Sequence, residues 1–232
     1  MRSMTDINQK GRFVGFNAAS SMPGREIGSG RFRPLTRPFT LDQVNSVKFS
    51  RTRSIPSAET FSIPPITAFV KSYLRLSKNS ADPFARNKRW ATWTNDLNPN
   101  TAAEYHMEAR DFLQMLKDRQ EVLDLVLFDP PYSRRQVKEV YESVGLKFTN
   151  HDSQYYSSNW REERAIINDI LGVGGVVLSF GWNTSGMGSF SNFAAEEILI
   201  VCHGGSRYDT LCIAERKVCH QGSFFGSVAL SN

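Results

Sequence analysis

The spacing of apolar positions changes along this chain, and each change marks a predicted element. Ile66, Phe69, Val70, Tyr73 and Leu74 fall at helical offsets. The segment Ile66–Leu76 therefore predicts a helix with one apolar face. Pro64 and Pro65 suit its first turn, where no backbone donor is needed, and order is expected to begin near Phe61. A turn at Asp82-Pro83-Phe84 precedes a strand-like Arg89–Thr94 that ends at Asn95-Asp96. Glu104–Met107 reads as a further short strand and Asp111–Lys117 as a helix. Val122–Phe128 is a short run rich in Val and Leu, the pattern of a buried strand. Arg134–Val144 predicts a helix stopped by Gly145, Ser157–Leu171 another stopped by Gly172, and Gly175–Phe180 a second buried strand. Glu197–Cys202 and Leu211–Glu215 flank Gly204–Asp209 and predict an antiparallel hairpin at the sheet edge. Strands alternating with helices and finishing in a hairpin imply an α/β fold, a doubly wound, mostly parallel sheet.

Residues 1–55 break this regularity. They are rich in Gly, Ser, Arg and Pro and show no sustained period, so they read as an extended or partly disordered arm. They carry ten Lys/Arg against three Asp/Glu, whereas the rest of the chain carries 18 against 20. The formal charge of +5 thus resides in the first quarter. A basic arm interleaved with Phe32 and Phe39 suits phosphates and bases, and equally suits a solvated tail. The three cysteines, Cys202, Cys212 and Cys219, show no CxxC spacing, which argues against a disulfide framework or a zinc site. With no apolar leader and no run long enough to span a bilayer, a cytoplasmic setting without membrane attachment is expected. The ordered domain is placed at 56–220, with a tail at 221–232.

The chemistry concentrates at Asp129-Pro130-Pro131-Tyr132, directly after the apolar run. Neither proline can donate to a sheet ladder, so the strand stops in a rigid turn that carries a carboxylate and an aromatic ring. Open α/β sheets bind their ligands at such carboxyl ends. Asp96 ends the preceding strand, where an acid can accept the ribose hydroxyls of a nucleoside cofactor. Glu108 follows in Tyr105–Ala109; Asp111 is its rival, or else a helix cap.

Asp129-Pro130-Pro131-Tyr132 resembles the catalytic motif of S-adenosylmethionine-dependent amino-methyltransferases, which modify the exocyclic nitrogen of adenine or cytosine. Asp82-Pro83-Phe84-Ala85-Arg86-Asn87 is similar to that family's Asp-Pro-Phe-x-Gly-x-Gly cofactor loop, but both glycines are missing. The likeness covers roughly residues 60–216 and implies a seven-stranded Rossmann-like sheet. It implies S-adenosyl-L-methionine as cofactor, held by Ile63 and Pro65 of the first helical segment, by Asp82, Pro83 and Phe84, by Asp96 and Leu97, by Glu108 and Ala109, and by Asp129. It gives Asp129, Pro130, Pro131 and Tyr132 the catalytic work. Asp129 and the Pro130 carbonyl would accept the amine hydrogens, and Tyr132 would stack on the target ring.

The leading implication is a DNA adenine-N6 methyltransferase acting on an adenine flipped out of a duplex, of a size suited to a phage-borne or solitary bacterial enzyme. RNA adenine, DNA cytosine-N4 and a non-catalytic nucleic-acid-binding module with a degenerate cofactor loop stay open, as does a homodimer. Arg134, Arg135, Tyr155, Trp160, Trp182 and Asn183 are the expected nucleic-acid contacts, although Trp182 serves equally well as a core residue. No metal is expected.

Overall fold

The computed structural model describes residues 46–148 and 160–218. Most of the basic arm, Tyr155, Cys219 and the tail at 221–232 lie outside the described residues.

Among the described residues twelve segments follow in chain order, the first being strand β1 (Lys48–Arg53) and the second a single 3-10 turn (Thr60–Ser62). Helix α1 (Pro64–Leu74), strand β2 (Ser80–Asp82), strand β3 (Trp93–Thr94), helix α2 (Ala109–Asp118) and strand β4 (Leu123–Phe128) come next. Helix α3 (Arg134–Ser143), helix α4 (Arg161–Ile170), strand β5 (Leu171–Gly181), strand β6 (Phe193–Cys202) and strand β7 (Thr210–Lys217) are the remaining described elements. The strands form one seven-stranded sheet in the order β1-β6-β7-β5-β4-β2-β3. Only β7 runs antiparallel to its neighbours β5 and β6; the other pairings are parallel. A doubly wound, mostly parallel seven-stranded Rossmann-like sheet with a C-terminal antiparallel hairpin is the α/β fold expected from the sequence.

Alternation along β4 explains why the sheet is covered on both faces. Leu125 and Leu127 pack with Ile66, Phe69 and Val70 of α1 and with Leu178, Val201 and Ala214. Val126 and Phe128 face the other way, into Phe112, Leu113 and Leu116 of α2 and Ile167 of α4. A strand buried on both sides is apolar at every position rather than every second one. Each fully buried Leu or Phe contributes about 1.5–3 kcal/mol over its exposed state. The one polar residue within β4, Asp124, anchors the approach to β2, accepting from the Ser77 hydroxyl and, at 2.8 Å, from the Lys78 N–H.

Five sequence readings change. Lys48–Arg53, assigned above to the arm, is a sheet strand in parallel register with Glu197–Cys202 of β6. Its sequence hides this because an edge strand pairs on one side only and leaves its basic side chains exposed. The β6–β7 hairpin consequently lies inside the sheet, flanked by β1 and β5. Arg89–Thr94 contracts to a two-residue strand. Glu104–Met107 contracts to the single bridge Asn95–Tyr105. β2 was read only as a turn, since its three residues, all buried, are too few to show a period.

Candidate active site

The carboxyl ends of β2, β3 and β4 open into one cleft of about 1070 Å³. Its floor is the Asp-Pro-Pro-Tyr corner. β4 stops at Phe128, Pro130 is buried, and Asp129 stays partly open to the cleft. The Tyr132 hydroxyl donates to Asp129 Oδ1 at 2.5 Å, and Thr60 Oγ1 lies 3.4 Å from the same hydroxyl. The Tyr132 N–H donates to Gln136 Oε1 at 2.7 Å, which ties the corner to the first turn of α3. The Ser133 hydroxyl caps that helix by accepting from Gln136 N. Burial drives the Asp129 carboxyl above its ordinary value, and it outweighs the opposing hydrogen bonds from Tyr132 and Thr60 and the charge of Arg86. Burial, with the neighbouring Asp129 charge, also raises the Tyr132 phenol.

Asp82 ends β2 and is fully buried. Its Oδ1 accepts from Phe84 N at 3.0 Å, while its Oδ2 has no hydrogen-bond partner among the described residues. Its carboxyl is held well above the usual range, mainly by burial and further by Asp129 and Asp96. Asp82 lies behind the cleft wall, whereas Pro83 and Phe84 line it. The wall is latched by Asn95, a buried side chain that donates to the carbonyls of Pro83 (3.1 Å) and Met107 (3.0 Å) and accepts from Met107 N (3.1 Å).

That latch brings the second and third acids to the same opening. Asp96 follows β3 and accepts from Arg86 N (3.1 Å) and Asn98 N (2.9 Å). Glu108 immediately precedes α2, and its Oε1 accepts from the Tyr141 hydroxyl of α3 at 2.5 Å. Leu97, Ala109 and Ile63 join them in lining the cleft. Pro65 is in α1 but not in the lining, and Asp111 is likewise outside it. Arg86, where the cofactor loop lacks its glycine, adopts φ +48°, the left-handed backbone region that glycine enters freely.

On the far side the cleft is aromatic. Trp182 meets Tyr132 edge-on, with ring centroids 5.6 Å apart, and lies 4.7 Å from Tyr208. Trp182 is 38% and Tyr208 69% exposed. Trp160 is buried instead, edge-on to Phe84 at 5.4 Å, so it forms wall rather than open surface. Arg134 and Asn183 line a separate notch of about 100 Å³ behind Tyr132. Arg135 is paired along α3 with Glu139 at 2.8 Å. Sequence reasoning missed Thr60, Tyr141, His203 and Tyr208, which come from loops and a helix carrying no motif. For His203 and Tyr208 the only available signal was their place in the β6–β7 connection; Thr60 and Tyr141 gave none. Among the described residues no cluster of metal-ligating side chains occurs and no helix is long and apolar enough to cross a membrane.

No protein-family model matches this chain, and no curated protein matches it. Among solved structures it is similar to yhhF of Escherichia coli, described as a methyltransferase, at 12% identity and TM-score 0.42, over 71% of this chain and 91% of that one. It is similar to TrmN of Thermus thermophilus at 15% identity and TM-score 0.42, over 67% of this chain and 49% of that one. It is similar to a SAM-dependent methyltransferase of Agrobacterium tumefaciens at 13% identity and TM-score 0.41, over 66% of this chain and 60% of that one. The chain thus spans about half the length of the Thermus protein. Likeness at this level carries no argument about activity, so the functional reading rests on the site.

Proposed function

We propose that the cleft binds S-adenosyl-L-methionine and that the protein transfers its methyl group to the exocyclic amine of an adenine extruded from DNA. One observation carries the reading: a carboxylate and a proline-stiffened turn stand at the end of β4 in the same cleft as Asp96 and Glu108, the acids that follow β3 and precede α2.

The donor set fits such a cofactor. Asp96 suits the paired ribose hydroxyls, and Glu108, at the far end of the row, suits the amino group of the cofactor's adenine. Ile63, Pro83 and Phe84 offer apolar wall between them. The volume suffices for a nucleoside cofactor and a target base together. The missing glycine does not collapse the loop, because Arg86 follows the left-handed path itself.

When bound, S-adenosyl-L-methionine supplies an electrophilic methyl on a sulfonium, and the C–S electron pair leaves with sulfur. The chain's own residues prepare the amine. Its lone pair is delocalised into the ring, so it is a poor nucleophile. Ionised Asp129 and the Pro130 carbonyl each accept one of its hydrogens and draw the pair back onto nitrogen. As the N–C bond forms, nitrogen acquires positive charge and sheds one proton. A carboxyl raised by burial is suited to take it. No covalent enzyme intermediate is needed; positioning and electrostatics do the work. Tyr132 holds the ring, Trp182 and Tyr208 supply aromatic surface at the mouth, and Arg134 and Asn183 meet the nucleic-acid backbone. Asp82 acts from behind, as the buried end of the cofactor loop.

The test is expression in a methylation-free host followed by mapping of modified bases, with tritiated methyl transfer to unmethylated duplex DNA and to transcribed RNA. N6-methyladenine in DNA is the expected product. Label in RNA alone would move the substrate, and no label in either would sink the reading.

A further inference from the structure

Arg86 is strained where a glycine would not be. Its φ of +48° is sparsely populated by residues with a Cβ, and such strain persists where the surroundings fix the residue and use it. Both ends of Arg86 are held. Its N–H donates to Asp96 Oδ2 at 3.1 Å, and its Nη1 donates to the Ala58 carbonyl at 2.6 Å. The side chain therefore reaches from the acid that suits the ribose to the segment before α1. It passes near enough to Asp129 to stabilise that carboxylate.

The charge balance of the cleft makes this position specific. Its lining holds five acids, Glu59, Asp96, Glu108, Asp129 and Glu139, but only two Lys or Arg residues among the described residues, Arg86 and Arg207; Glu59 pairs with Lys88 at 3.5 Å and Glu139 with Arg135 at 2.8 Å. Arg207 belongs to the β6–β7 connection beside Tyr208, at the aromatic mouth. Beside Asp129 the lining includes Thr60, Ala58 and Arg86, whose guanidinium is held at Ala58. This is the stretch left for the amino-acid end of a donor with its ribose at Asp96 and its methyl at Asp129. That end carries a carboxylate, which an acid-rich cleft repels unless a cation meets it. A guanidinium offers a planar pair of donors for this purpose, and Arg86 has donors beyond the one given to Ala58.

Resting on the methyl-donor reading above, we propose that Arg86 is the counter-ion for the α-carboxylate of the donor's amino-acid end. The side chain does here what close backbone approach does in a glycine loop, and Arg86 is thus a determinant of cofactor specificity as well as a loop residue.

The experiment is calorimetric titration of the full chain, without nucleic acid, using S-adenosyl-L-methionine and its decarboxylated form, which differ by that one group. Wild-type protein prefers the intact cofactor. In Arg86→Gln, which keeps the strained backbone, and Arg86→Gly, which relieves it, affinity for the intact cofactor falls about 10- to 100-fold. Affinity for the decarboxylated form stays within about threefold. Arg207→Gln leaves both unchanged. Equal losses for both ligands would make Arg86 a loop-shaping residue and overturn the proposal, as would no loss for either. Wild-type protein that binds neither ligand would instead remove the cofactor reading itself. Thermal melts of both variants report whether they fold.

Discussion

The phenol of Tyr132 is folded back onto Asp129, its hydroxyl 2.5 Å from Oδ1. The side chain proposed to hold a base is therefore also a hydrogen-bond donor to the carboxylate proposed to activate it. This bond lowers the Asp129 pKa against the larger upward push of burial. The proposed methyl transfer uses ionised Asp129, so on that proposal the rate rises with pH as the group ionises. Tyr132→Phe keeps the ring and removes the donor, which moves the acidic limb of the pH–rate profile to higher pH. Asp129→Ala removes the limb and lowers kcat by at least about 100-fold. Single-turnover rates across pH check both. A limb that stays in place in Tyr132→Phe would show that another group titrates there.

Trp182 and Tyr208 form a second testable pair. Their rings lie 4.7 Å apart at the cleft mouth and remain partly open to solvent. Base–aromatic stacking is worth about 1–3 kcal/mol per base. Tyr208→Ala and Trp182→Ala should each weaken oligonucleotide binding by that amount, measured by fluorescence anisotropy, and leave cofactor titrations unchanged. Loss of cofactor binding in Tyr208→Ala would place its role within the donor half of the cleft.

What the sequence disclosed depended on how local the cause was. The corner after β4 was legible because two prolines end a strand wherever they fall. Ile66, Phe69 and Val70 announced α1 because one apolar stripe suffices for a helix. Asp96 was singled out by its place after a strand and Glu108 by the family resemblance, and the fold brings both to the cleft lining. β1 was hidden because the partner that makes Lys48–Arg53 a strand, Glu197–Cys202, lies far along the chain. Tyr141 and Thr60 were hidden for the same reason, since their contacts with Glu108 and Tyr132 are set by packing. Trp160 was misjudged because nothing local shows that Phe84 covers it.

The two arginines after Tyr132 should separate. Arg134 lines the notch with Asn183 and Arg164, whereas Arg135 is engaged by Glu139. If a backbone phosphate occupies that notch, Arg134→Gln lowers the slope of log affinity against log salt by about 0.7–0.9. Arg135→Gln leaves the slope unaltered. Equal slopes for wild type and Arg134→Gln would remove Arg134 from the interface.

Asp82 gives the stability prediction. Folding buries its carboxyl completely and leaves Oδ2 without a partner among the described residues, so its folded pKa lies well above the unfolded one. The folded state then holds the proton more tightly than the unfolded state. Stability contributed by this group is complete below the ordinary carboxylate value and is lost as pH rises through the folded pKa. Asp82→Asn keeps the acceptor for Phe84 N and removes the charge. At neutral pH the variant should be more stable than wild type, because no carboxylate is held in the buried site. For a domain of this size, each kcal/mol raises Tm by about 2–4 °C. The gain should shrink towards zero as pH falls to the carboxylate range. Paired melts of wild type and Asp82→Asn from acid to neutral pH measure it, and a gain that does not vary with pH would show that charge burial is not its source.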